Sequence, residues 1–195
     1  MRPAIFIDKD GTLVVDVPYN VDPANVRLAA DAVPALRRLG DAGFDLVVVT
    51  NQAGVARGYF PETAVDTVRR HLSRLLANQG VTLAGFYFCP HLPDAVVPEY
   101  RLSCDCRKPK PGLIMRAGDD LDLALHESWM IGDIATDVLA GQAAGCRTIL
   151  VNPNPGRELR QLARRPDIVA HSLSEAADAL LRATHSGRTP AVQPS

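Results

Sequence analysis

The stretch AIFIDKDGTL, residues 4–13, decides the reading of the chain. Its four leading residues, Ala4 to Ile7, are all apolar, as in a strand of a parallel sheet covered by helices on both faces. Directly behind them stand two acids, Asp8 and Asp10. At a spacing of two, extended geometry projects both carboxylates to one side while Lys9 points away. Gly11 permits a tight turn at that point.

Working outward, Phe44 to Thr50, Phe86 to Phe88, Trp129 to Ile131 and Arg147 to Val151 read as further strands, several apolar on both faces. Helical patterns alternate with them. Val65, Val68, Leu72, Leu75 and Leu76 form a helical stripe that Gly80 can end, and Asp31–Gly43 and Thr136–Gly145 each close on a glycine. Another helix is expected from Gly112 towards Leu125, and a last one from Ser174, as N-cap, to Ala183. The alternation predicts a doubly wound, mainly parallel, Rossmann-like α/β fold. One domain is expected over 1–184, with a metal loop at 89–106 and a disordered tail over 185–195.

The composition narrows the function. The chain has 195 residues, of which 47% are hydrophobic and 22% charged, which suits a globular domain and excludes a disordered or fibrous chain. The net charge is −1, with no long basic run, so nucleic-acid binding lacks its electrostatic driver. With no secretory signal and no membrane-length apolar run, a soluble cytoplasmic protein is expected, with a small-molecule substrate and no membrane partner.

Ligands of open α/β sheets bind beyond the carboxyl ends of the strands, and the residues there are unusually polar: FIDKDGTL, VVVTNQ, CRKPKPG and MIGDIATD. Asp8 and Asp10 repel one another, a repulsion that Mg²⁺ relieves, and Asp133 arrives from another strand as a third acid. With a phosphate present, one aspartate can serve as nucleophile and the other as proton donor and acceptor. Thr50 and Asn51 can donate hydrogen bonds to the phosphate, and Lys108 can set an ammonium against it. Neither a G-x-x-x-x-G-K-[ST] loop nor a G-x-G-x-x-G fingerprint offers another route to phosphate.

As a set, DKDGT at 8–12, the strand ending in Thr50, Lys108 and GDIATD at 132–137 resemble the four motifs of the aspartate-nucleophile phosphatases of the haloacid dehalogenase superfamily. The resemblance spans roughly residues 4 to 150. It implies a phosphoaspartate on Asp8, acid and base work by Asp10, and Mg²⁺ held by Asp8, Asp133 and the main-chain carbonyl of Asp10. It also implies a capless core, because few residues separate Gly11 from the first helix.

Cys89, His91, Cys104 and Cys106 supply three thiolates and an imidazole, the donor set of a closed, structural Zn²⁺ site. Cys146, inside AAGCRTILV, reads as core. The CPH and CDCRKP segments resemble the branch of the superfamily that holds the heptose-bisphosphate and histidinol-phosphate phosphatases. Twelve residues between His91 and Cys104, with TNQAGVARGYF, favour the heptose arrangement. That likeness implies a hydrolase removing the 7-phosphate of a heptose 1,7-bisphosphate, and a monomer is expected. It carries substrate contact onto Asp16, Val17, Pro18 and Tyr19, onto Thr50, Asn51, Gln52 and Ala53, and onto Arg107 and Lys108, with Arg107 reading the second phosphate. One position departs: Ile134 stands where these enzymes commonly carry lysine. Rival readings are a histidinol-phosphate phosphatase, a non-catalytic zinc-stabilised module and a nucleic-acid 3′-phosphatase, the last normally wanting more positive charge.

Overall fold

Strands that are apolar on both faces must be covered on both faces, and each side of the sheet carries its own core. The computed structural model describes residues 1–186, the last two by their backbone alone. Strands β1 (Ala4–Ile7), β2 (Asp45–Asn51), β3 (Gly85–Cys89), β4 (Trp129–Gly132), β5 (Arg147–Val151) and β6 (Ile168–Ala170) form one sheet. Their order is β3-β2-β1-β4-β5-β6, and every neighbouring pair is parallel. The helices are α1 (Ala32–Asp41), α2 (Ala53–Ala56), α3 (Glu62–Ala77), α4 (Gly112–Leu121), α5 (Ala135–Ala143), α6 (Gly156–Arg160) and α7 (Leu173–Ser186).

Alternation along the strands sorts the side chains between the two layers. Ile5, Ile7, Val48 and Ile131 pack with Leu36 and Leu39 of α1, Leu72 and Leu76 of α3 and Leu180 of α7. Their neighbours Ala4, Phe6, Val47, Val49 and Met130 pack with Leu113, Ile114 and Ala117 of α4 and Ala140 of α5. Trp129 is fully buried, with the Arg147 guanidinium 3.9 Å above its ring. Cys146 lies in the second core, as expected, and burial pushes its thiol up to about 12.

Several elements differ from the sequence expectation. The three-residue β6 and the short helices α2 and α6 carry too few residues to show a period. Helix α4 stops at Leu121, because Asp122 takes the left-handed conformation at φ 53. Ser174 is not the cap of the last helix. The hydroxyl of Ser172 accepts the Glu175 N–H at 3.2 Å, and the Ser174 N–H donates to Asp31 at 2.7 Å, tying the start of α7 to the start of α1. That helix also runs through Ser186, past the expected boundary at 184; the rest of the expected tail, 187–195, lies outside the described residues.

From β1 the chain proceeds to β2 and β3 on one side, whereas β4 leads to β5 and β6 on the other. The carboxyl ends of β1 and β4 therefore flank the point where strand order reverses, the usual crevice for a ligand. At the opposite end Ser128 pins the same two strands. Its buried hydroxyl accepts the Ala4 N–H at 2.9 Å and donates to the Ala124 carbonyl at 2.7 Å. Ser128→Ala leaves the buried Ala4 N–H without its partner, while the Ala124 carbonyl keeps the Glu127 N–H at 3.0 Å, and should destabilise the protein by about 1–3 kcal/mol. A lower urea midpoint at unchanged m would register it.

Candidate active site

Asp8 follows β1 directly, and its N–H still pairs with the Ile131 carbonyl of β4 at 3.0 Å. Carboxylate oxygens of Asp8, Asp133 and Asp137 all lie within 4.8 Å of one another. Two glycines allow this crowding. A Cβ on Gly11, whose φ is +83, would stand 2.4 Å from Asp133 Oδ2, and one on Gly132 would stand 2.3 Å from the Asp137 side chain. Lys108 reaches in from the segment that follows the loop over 89–106. Its Nζ donates to Asp8 Oδ1 at 2.6 Å and to the Val49 carbonyl at 3.1 Å, and it pairs with Asp137 Oδ1 at 2.7 Å.

One ammonium cannot balance three clustered carboxylates. Burial pushes the Asp8 carboxyl up to about 7, against the downward pull of Lys108 and with a further rise from Asp137. Burial and the charge of Asp8 lift Asp133 to about 6, opposed by a hydrogen bond from Thr12 at 3.1 Å. Asp137 is also raised, by burial against Lys108. Burial opposes the Lys108 ammonium, yet Asp137 and Asp8 hold its pKa above the ordinary value. The set of hard oxygen donors with surplus negative charge fits a divalent cation such as Mg²⁺.

Asp10 lies apart from this cluster. Its Oδ1 accepts from Lys9 Nζ at 2.5 Å, and its Oδ2 accepts from Gln52 Nε2 at 3.0 Å. Lys9 therefore does not point away from Asp10: the strand has ended at Ile7, the chain turns, and strict alternation no longer applies. Thr50 is buried at the end of β2, and its Oγ1 accepts from Gln52 at 2.9 Å, leaving the hydroxyl proton for another acceptor. Asn51 was expected to donate its side chain to phosphate. Instead its carboxamide clamps the main chain of Lys108, accepting from the N–H and donating to the carbonyl, both at 3.1 Å.

The cysteine and histidine donors also converge. Cys106 Sγ stands 3.1 Å from Cys89 Sγ, 3.2 Å from Cys104 Sγ and 3.3 Å from His91 Nδ1. All the cysteines are free thiols, and the four soft donors are compatible with a tetrahedral zinc site. The loop rests on α2, where the Ala56 carbonyl accepts the N–H groups of Val96 and Val97, both at 3.0 Å. Ala53, at the start of α2, packs beside this contact with Leu92 and Ala95. Arg107 is half-buried and folds back onto the His91 carbonyl at 3.3 Å. Asp16, Val17, Pro18 and Tyr19 lie on an exposed loop, with the Tyr19 ring 4.8 Å from Tyr59 in an edge-to-face contact.

The sequence reading left Asp137, Lys9 and the clamp of Asn51 out of the working site. Asp137 was visible within GDIATD, four residues after Asp133, and its carboxylate also accepts the Ile134 N–H at 3.2 Å at the start of α5. Lys9 and Asn51 carried no separate signal.

Residues 105–176 match the HAD-hydrolase-like family model. The D-glycero-beta-D-manno-heptose-1,7-bisphosphate 7-phosphatase of Escherichia coli (strain K12) is 44% identical over 146 residues, 75% of this chain and 76% of that protein. The enzyme of the same name from Pasteurella multocida (strain Pm70) is 41% identical over 152 residues, 77% of this chain and 82% of its own. Among solved structures, D,D-heptose 1,7-bisphosphate phosphatase from B. bronchiseptica, complexed with magnesium and phosphate, superposes with a TM-score of 0.80 at 30% identity, covering 93% of this chain and 99% of that one. With the parallel sheet, the acid cluster and the buried lysine in place, these likenesses make the chain a member of the haloacid dehalogenase-like phosphatases.

Proposed function

We propose that this phosphatase removes the 7-phosphate of D-glycero-D-manno-heptose 1,7-bisphosphate through a phosphoaspartate on Asp8. The observation that carries the chemistry is Lys108 holding Asp8 Oδ1 while Asp133 and Asp137 crowd the same point. Asp8 is thereby oriented, with its second oxygen free of Lys108. Attack on phosphorus forms the Asp8–phosphate bond and breaks the bond to the sugar oxygen, which takes a proton from Asp10. Water then cleaves the acyl phosphate, and Asp10 recovers the proton. Thr50 donates to a phosphoryl oxygen, and Lys108 offsets negative charge as it moves. Asp8, Asp133 and the main-chain carbonyl of Asp10 would hold Mg²⁺, which neutralises charge on the phosphoryl oxygens.

Support for a substrate with two phosphates comes from beside Lys108. A cavity of about 210 Å³ there is lined by Arg107, Lys108 and Lys110 together with Cys104 and Leu102. The guanidinium of Arg107 suits a second phosphate by forked hydrogen bonding. Asp16 to Tyr19 and Thr50 to Ala53 would supply the remaining substrate contacts. Zinc on Cys89, His91, Cys104 and Cys106 is structural and fixes the loop from which Arg107 and Lys108 follow directly. The substrate is a small soluble ester, and the enzyme acts as a cytoplasmic monomer; no described helix is long and apolar enough to cross a membrane.

Phosphate release with Mg²⁺ tests the substrate. Heptose 1,7-bisphosphate should be turned over with a kcat/KM at least about tenfold above that of histidinol phosphate; the reverse order would replace this reading by the histidinol one. Asp8→Asn should lower turnover by about 10⁴-fold or more while leaving the circular-dichroism spectrum unchanged.

The raised acids give a further expectation with a definite sign. Asp8 and Asp133 titrate near 7 and 6 in the folded protein, above the ordinary 3.8, so between these values the folded state binds more protons than the unfolded one. The stability of the magnesium-free protein should therefore fall as pH rises from 5 to 8. Added Mg²⁺ should raise the melting temperature more at pH 8 than at pH 5, measurable by scanning calorimetry.

A further inference from the structure

Lys9 is a buried cation that the phosphoryl-transfer scheme leaves unused. Its side chain is 5% exposed, and its Nζ lies 2.5 Å from Asp10 Oδ1. The Asp10 side chain is 32% exposed, so it stands at the border between the buried acid cluster and the opening to solvent. A carboxylate in that position would ordinarily exchange among rotamers. Here both oxygens are held, Oδ1 by Lys9 and Oδ2 by Gln52 at 3.0 Å, and Gln52 is in turn fixed on Thr50 at 2.9 Å.

The backbone keeps Lys9 beneath its partner. The Lys9 carbonyl accepts the N–H groups of Leu13 at 3.1 Å and Val14 at 2.9 Å, closing the turn that carries Asp10. An ion pair this buried loses much hydration, and apolar side chains in its place are often neutral or stabilising. Stability alone therefore gives little reason for a lysine here. Orientation gives one, because proton transfer demands close approach and alignment, and small misplacements are costly.

We propose that Lys9 is a positioning residue for the general acid and base, holding the Asp10 carboxyl group against Gln52 so that its free lone pairs face the leaving oxygen and, later, the attacking water. A carboxyl group has about four lone-pair sites, so one donor on each oxygen leaves room for the proton in transit. Asp10 gives that proton to the leaving oxygen as the phosphorus–oxygen bond breaks and takes one from water as the Asp8–phosphate bond is cleaved. Lys9 itself neither gains nor loses a proton. This role rests on the reading of Asp10 as acid and base.

The leaving group separates positioning from mere packing. An alkoxide needs the proton as it departs, whereas p-nitrophenolate leaves without one, and kcat/KM reports only the steps up to formation of the phosphoaspartate. Lys9→Met should lower kcat/KM for a sugar phosphate monoester by about 10²-fold, within the range for general acid catalysis. The loss on p-nitrophenyl phosphate should be at least tenfold smaller, and Lys9→Arg should restore part of the sugar-phosphate activity. Asp10→Asn, measured beside it, should show the same selectivity more strongly. Equal losses on both esters in Lys9→Met, or no loss, with Asp10→Asn still selective, would overturn the role of Lys9 alone. Equal losses in Asp10→Asn would overturn the reading of Asp10 and the proposal with it. If methionine unfolds the chain, as circular dichroism would reveal, Lys9→Gln makes the same comparison with the same outcomes.

Discussion

The ammonium of Lys108, shared between Asp8 and Asp137, is the contact on which the arrangement depends. Bringing carboxylates within 4.8 Å of one another inside a protein is unfavourable, and burial makes it more so. The parallel sheet nevertheless forces Asp8 and Asp133 together, because β1 and β4 are neighbours and both end at the same edge. A buried cation makes that meeting tolerable without cancelling it. What remains is surplus negative charge in a rigid place, which favours a divalent ion and then a phosphate.

Lys108 must therefore be placed accurately from a part of the chain with no regular structure. Two devices do this. The carboxamide of Asn51, at the end of β2, grips the lysine's main chain through both its N–H and its carbonyl. On the other side the chain passes from Cys106 through Arg107 to Lys108, so the cluster of soft donors holds the preceding residues. A loop fixed only at its ends would leave a long side chain free to seek water. Tied at the backbone two residues from Cys106 of the soft-donor cluster, it is pressed into the acid cluster.

Much of this was legible in the sequence because it depends on local pattern. The runs ending at Ile7, Thr50 and Ile131 announced strands, and the polar residues behind them announced a shared edge. What stayed hidden depends on where chains turn. Lys9 was assigned to the far side by strand alternation, but the turn that begins there folds its side chain back onto Asp10. Asn51 looked like a phosphate donor because nothing in VVVTNQ reveals that Lys108 lies across from it. The three residues of β6 and the short helices α2 and α6 offered no period to read.

The acid pair meets the same limit, because spacing alone does not divide it and only the family resemblance gave its two members separate roles. Asp8 and Asp10 are chemically alike and two residues apart, and sequence spacing treats them as equivalents. The fold gives them different surroundings. Asp8 is buried on Lys108 with its pKa pushed up to about 7. Asp10 is one-third exposed, and each of its oxygens accepts a hydrogen bond from a side chain outside the acid cluster. These surroundings suit the proposed roles, since a nucleophile needs a fixed approach to phosphorus and a proton carrier needs contact with both the leaving group and incoming water. The turn at Gly11, open only to a residue without a Cβ, gives one aspartate the interior and its neighbour the mouth of the site.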